Sequence, residues 1–143
     1  MSTYETDFHQ RIEEQADLLR TGHLPQLDVT HLIEELESMS ARERRELINR
    51  LALLLAHLLK WEYQPERRST SWRLTINEQR RQLALLLEDS PSLRQRLPEL
   101  LLRSYRNATR AAMEETGFLK SPFPEHCAYS IVEILDEDYW PGV

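Results

Sequence analysis

"SARERRELINRLALLLAHLLKW", Ser40 to Trp61, is the stretch on which the fold turns. Leu47, Leu51, Leu54, Leu58 and Trp61 recur at intervals of three and four, and Ile48, Ala52, Leu55 and Leu59 make a second stripe beside them. That spacing is helical, and two adjoining stripes give an apolar face too wide for a single neighbour. Such a helix belongs at the centre of a bundle. Ser40 and Glu43 are spaced to satisfy each other's free amides as a capping box, so the helix is predicted to open at Ser40 and to end before Pro65. Its longest apolar run, Leu51 to Leu59, is far short of the roughly 20 residues of a membrane span. No membrane partner is expected.

Working upstream, Phe8, Ile12, Ala16 and Leu19 predict a first helix from about Tyr4 to Thr21, stopped by Gly22. A short helix capped by Asp28 follows Pro25 and is expected to turn Leu32, Ile33, Leu36 and Met39 inward. Downstream, a helix from about Ser71 to Glu88 carries Trp72, Ile76, Leu83, Leu86 and Leu87 on one side. Ser90-Pro91 breaks it, and Leu101, Tyr105, Ala108 and Ala112 mark another helix that Gly117 ends near Thr116. "FLKSPFPEHCAY" reads as loop, and Ser130 with Glu133 reads as a capping box for a last short helix at Ile131 to Leu135. No strand pattern appears. The expectation is all-α: one domain over residues 1–143, a compact bundle of five or six helices with a long central helix.

Three glycines in 143 residues leave no room for a phosphate loop or a dinucleotide turn. One cysteine, Cys127, permits no internal disulfide, and the opening "MSTYETDFHQ" lacks a basic region followed by an apolar one, so the cytoplasm is the expected compartment. Charge is uneven. Residues 1–40 hold two arginines against nine acids, residues 41–110 fifteen basic residues against eight acids, and residues 111–143 one lysine against seven acids. A positive middle between negative flanks implies a partner for the odd segment or pairing within the chain.

That middle contains "WEYQPERRSTSWRLTINEQRR", Trp61 to Arg81. At about 100° per residue, Arg73, Asn77, Arg80 and Arg81 share one face of the helix that begins near Ser71, beside its apolar stripe rather than opposite it. Arg67 and Arg68 precede it in a loop. Two readings compete. In one, the arginines pair with protein carboxylates (Glu34, Glu35, Glu37 or the tail acids Asp136, Glu137 and Asp138), while Trp61 and Trp72 are core anchors. In the other, the same arginines hold a nucleic acid or another anion, with Trp61 or Trp72 exposed for stacking. Arg67, Arg68, Arg73, Asn77, Arg80, Arg81, Trp61 and Trp72 are therefore the candidate partner-binding or anion-binding residues. In "LDEDYWP", Tyr139 and Trp140 imply that the acidic tail packs against something.

Catalytic patterns are missing. His9 with Glu13 and His31 with Glu35 each share a helix face, yet neither the H-E-x-x-H nor the E-x-x-H spacing occurs, so a metal enzyme is the remoter alternative and no cofactor or metal ligand is assigned. His57 reads as a hydrogen-bonded histidine of the apolar helix. His126 and Cys127 are adjacent and need not form a dyad, and no G-x-S-x-G elbow exists. No catalytic residue is named.

Through "YETDFHQRIEEQADLLRTG", "LIEELESM", "HLLKWEYQPERRSTSWRLTINEQRRQL", "LLEDSPSL" and "FPEHCAYSIVEILDEDYWP", nearly the whole chain resembles the bacterial domain-of-unknown-function family twenty-nine. It implies an all-helical domain and supplies no catalytic residue. The function expected from the residues is that of a noncatalytic protein acting through protein contacts. Its partner would be a second copy or an acidic protein, met by the arginine-rich central face.

Overall fold

A computed structural model describes residues 7–142. Every regular element among them is helical: α1 (Phe8–Arg20), α2 (Val29–Tyr63), α3 (Thr70–Asp89), α4 (Leu97–Thr116) and α5 (Ile131–Leu135), with 3-10 turns at Leu24–Gln26, Pro65–Arg67 and Pro91–Arg96. The all-α expectation holds, with α2 as the long helix. By backbone contacts the chain divides into two compact units, Met1–Ala41 and Arg42–Val143.

In the first unit Asp7 caps α1 by accepting from the Gln10 amide at 3.0 Å; the expected start at Tyr4 lies outside the described residues. Gly22, at φ 77°, makes the left-handed turn that releases the chain from α1. Asp28 then caps α2, its carboxylate accepting from the His31 amide at 3.3 Å and its own amide donating to Gln15 Oε1 of α1 at 2.8 Å. Arg11 crosses from α1 with its stem buried, Nη2 reaching Glu35 Oε1 at 3.5 Å. Of residues 7–41, Arg11 alone is buried.

The expected break at Ser40 does not occur. Val29 to Tyr63 is one helix of 35 residues. Nothing between those ends is glycine or proline, and a serine inside a helix costs only about 0.5 kcal/mol relative to alanine, so the turn at Met39 simply continues. Glu43, expected to cap that start, instead accepts from the Ser90 hydroxyl at 3.1 Å. Ile33, Leu36 and Met39, expected inside, are 50%, 66% and 56% exposed.

From Leu47 onward α2 carries the core of the second unit. Leu47, Leu54, Leu55 and Leu58 are fully enclosed, packed with Ile76, Leu83 and Leu87 of α3, Tyr105, Ala108 and Ala112 of α4, and Ile134 of α5. Both predicted stripes of the long helix are used, as its width requires. Ser69 caps α3 by accepting from the Trp72 amide at 3.2 Å. Gly117 ends α4 at φ 71°, and the Ser130–Glu133 capping box is complete, with bonds of 2.9 and 3.1 Å.

Candidate functional site

The arginine face of α3 meets the last segment of the chain. Arg80 lies next to the apolar stripe and is 1% exposed. Its Nε donates to the Ile134 carbonyl at 2.8 Å and its Nη2 to the Glu133 carbonyl at 3.3 Å. These carbonyls belong to the last turn of α5, where the Glu133 carbonyl also accepts from the Asp136 amide at 3.3 Å. Arg68 does the same work further along: Nε donates to the Trp61 carbonyl at 2.7 Å and Nη2 to the Pro141 carbonyl at 3.4 Å. Trp140 packs on Trp61 with ring centroids 4.8 Å apart and planes tilted by 47°, and lies under the Arg80 guanidinium at 5.6 Å, while Arg68 and Arg73 sit 5.0 and 5.9 Å from the Trp61 ring. The tail packs, as Tyr139 and Trp140 implied, and Tyr129 ties its start to α2 with a 2.8 Å bond to Glu62 Oε1.

Carbonyls rather than carboxylates hold these guanidiniums. Among the described residues no acid lies within ion-pair distance of Arg67, Arg68, Arg73 or Arg80, and Arg81 pairs locally with Glu78 at 2.5 Å. The pairing expected with Glu34, Glu35, Glu37 or the tail acids Asp136, Glu137 and Asp138 is therefore not how Arg80 is held. Burial lowers the Arg80 pKa, and the more distant Asp136 and Glu137 oppose that shift. Trp61, offered above as a stacking surface, is 6% exposed and covered by Trp140, so it is out of reach of a nucleobase. Trp72 is half-buried with the Lys60 ammonium 5.1 Å from its ring. The candidate residues thus divide. Arg68, Arg80 and Trp61 fasten the tail; Arg67, Arg73 and Arg81 are exposed; Asn77 and Trp72 lie half-buried between them.

The other candidates resolve simply. His9 sits 3.2 Å from Glu13, and His31 Nδ1 2.5 Å from Asp28 Oδ2. No group of three or more His, Cys, Asp or Glu side chains among the described residues is arranged to hold a metal ion. His57 is half-buried, and because a carbonyl can only accept, its Nδ1–H donates to Leu53 O at 2.9 Å. Burial, then the nearby Lys60 charge, lowers its pKa. The Cys127 thiol is half-buried and shifted upward by burial, which disfavours the thiolate that nucleophilic chemistry needs.

Two features escaped the sequence reading. Lys60 is 5% exposed and paired with Glu115 of α4, an interior cation that its place between apolar stripes could have signalled. The first unit, in turn, presents apolar side chains outward: Phe8, Leu19, Leu24, Val29, Ile33, Leu36 and Met39 are each half or more exposed. Val29, Ile33 and Leu36 fall on one helical face, flanked by Glu34 and Glu37.

The family model described as "Domain of unknown function DUF29" matches residues 3–140. The chain belongs to the DUF29 family. Neither a curated protein nor a solved structure matches it. The DUF29 match spans the arginine helix and the tail as far as Trp140, so the Arg80 bonds and the Trp61–Trp140 contact lie inside the family's domain, while the Pro141 carbonyl falls just beyond the match. No helix described here is long and apolar enough to cross a membrane.

Proposed function

We propose that this DUF29 chain is a noncatalytic protein that works by pairing with a second copy of itself. The acidic, apolar first unit of one copy would lie against the exposed arginines of the other's second unit, Arg67, Arg73 and Arg81. One observation carries the reading: residues 7–41 bury no apolar side chain and leave seven large ones half or more exposed. A helical pair without a core is marginal alone, and a cluster of exposed apolar side chains rimmed by charge marks a contact surface. Charge supports the choice of occupant. Residues 1–40 carry a net of −7, so two first units repel each other, while residues 41–110 carry +7. Arg67, Arg73 and Arg81 are the outward cations of the predicted face and are the ones available to such a partner.

The test is mass in solution, by light scattering over about a hundredfold range of concentration. A dimer is expected, and it weakens as salt rises from about 50 to about 500 mM. Ile33→Asp with Leu36→Asp removes the apolar contact and returns the monomer; Arg73→Glu with Arg81→Glu weakens the dimer. Arg80 is left alone, because reversing a buried charge would damage the fold whatever the partner. A monomer at every concentration in low salt overturns the reading and leaves the other partner of the same class, an acidic protein on the outward arginines.

A further inference from the structure

A groove of about 590 Å³ runs between α4 and the segment from Ser121 to Cys127. Its size falls within the roughly 300–1,000 Å³ of small-molecule sites. Leu101, Tyr105 and Phe123 supply apolar walls. The walls are fixed before any ligand arrives: the Tyr105 hydroxyl donates to the Pro124 carbonyl at 2.6 Å, and Phe123 is 8% exposed, packed edge-on against Tyr63 at 5.2 Å. The charge at the rim is lopsided. Arg106 lines the groove, and Arg103 and Arg110 stand three and four residues away on the same face of α4. All three are exposed, and among the described residues none has a carboxylate within ion-pair distance. One acid, Glu125, lines the opposite side.

We propose that this groove binds a small amphipathic carboxylate, an aliphatic acid whose tail lies along Tyr105 and Phe123 and whose carboxylate meets Arg106. A preformed apolar slot gives affinity for the tail without ordering a loop, and an unpaired guanidinium at its edge selects an anionic head over a neutral or cationic one. Arg103 and Arg110 add attraction at longer range and make binding salt-dependent. The site is separate from the first unit and from the tail fastening, so it stands or falls apart from the pairing of copies.

Titration calorimetry with decanoate, kept below micelle formation, tests it on the full chain, with acetate as the head alone and decyltrimethylammonium as the tail with the opposite charge. Decanoate is expected to saturate one site, acetate to give no heat, and the cation to bind about tenfold more weakly or not at all. Arg106→Gln, a change at an exposed position, is expected to weaken decanoate by about fivefold, the upper end for an exposed ion pair, with melting temperature unchanged. Thr109→Trp fills the groove and abolishes binding, and amide shifts on decanoate addition fall on residues 121–127. The proposal is overturned if decanoate fails to saturate, if Arg106→Gln binds as the parent does, or if the shifts fall elsewhere.

Discussion

Arg80 shows how much one residue can hold. It spends a buried charge on two main-chain carbonyls of α5, and its guanidinium also covers Trp140. Arg80→Met keeps the volume of the stem but takes the guanidinium donor from both carbonyls, leaving that of Glu133 with the Asp136 amide alone; the expected loss is about 2–4 kcal/mol in urea unfolding. Arg80→Lys falls between, since an ammonium cannot reach two carbonyls with a rigid fork. A loss under about 0.5 kcal/mol for the methionine variant would mean that the tail is held by Trp140 and its neighbours alone. The sequence showed where Arg80 points, because its angle on the helix is set by spacing. It could not show what Arg80 holds, because carbonyls 53 and 54 residues away carry no side-chain signature. His57 makes a different prediction. Its pKa in the folded chain lies below the ordinary value of 6.5, so the unfolded chain takes up the proton first as pH falls. Its contribution is complete above that ordinary value and is lost as pH drops through it toward the folded one. Urea midpoints should therefore fall between about pH 7.5 and about pH 5.5, and His57→Gln should flatten that fall. An equally steep fall in the variant would place the titration on another group.

Among the elements, α2 separates what local pattern can reveal from what it cannot. Gly117, Pro91 and the Ser130–Glu133 box are signals whose meaning is local, and each sits where spacing put it. Ser40 and Glu43 carry the same box spacing, but a box forms only if the residues before it leave the helix, and Val29 to Met39 do not. Ala41→Pro distinguishes the two arrangements. At the first position of a helix proline is welcome; inside a continuous helix it removes an amide bond and clashes with the preceding turn, at about 3 kcal/mol. A clear drop in helix ellipticity at 222 nm is expected, and unchanged ellipticity would restore the break. The outward turn of Ile33, Leu36 and Met39 was hidden for a related reason. Periodicity identifies an apolar face without saying which body covers it.

For the molecule as a whole, the two halves of α2 live in different surroundings. The Leu47, Leu51, Leu54, Leu58 and Trp61 stripe is sealed in the second unit, whereas Val29 to Met39 has one solvent-facing apolar stripe. Hydrogen exchange should show this directly. Amides of 29–39 exchange quickly in dilute protein and slow as concentration rises, while those of 47–61 stay protected throughout. Protection of 29–39 that ignores concentration would argue against a second copy as the cover. The charge blocks that suggested a partner were plain in the sequence; the groove beside α4 was not, since it depends on how far the 121–127 segment stands from a helix it meets only after folding.

The fastening of the tail has a consequence for how the protein is made. Trp61 and Arg80 are synthesised well before Ile134, Trp140 and Pro141, the residues that cover and bind them. While the ribosome is still adding that stretch, an indole and a guanidinium destined for the interior stand uncovered on the nascent chain. The second unit can complete its packing only when those late residues have left the exit tunnel, and until then this corner is a natural handhold for a chaperone.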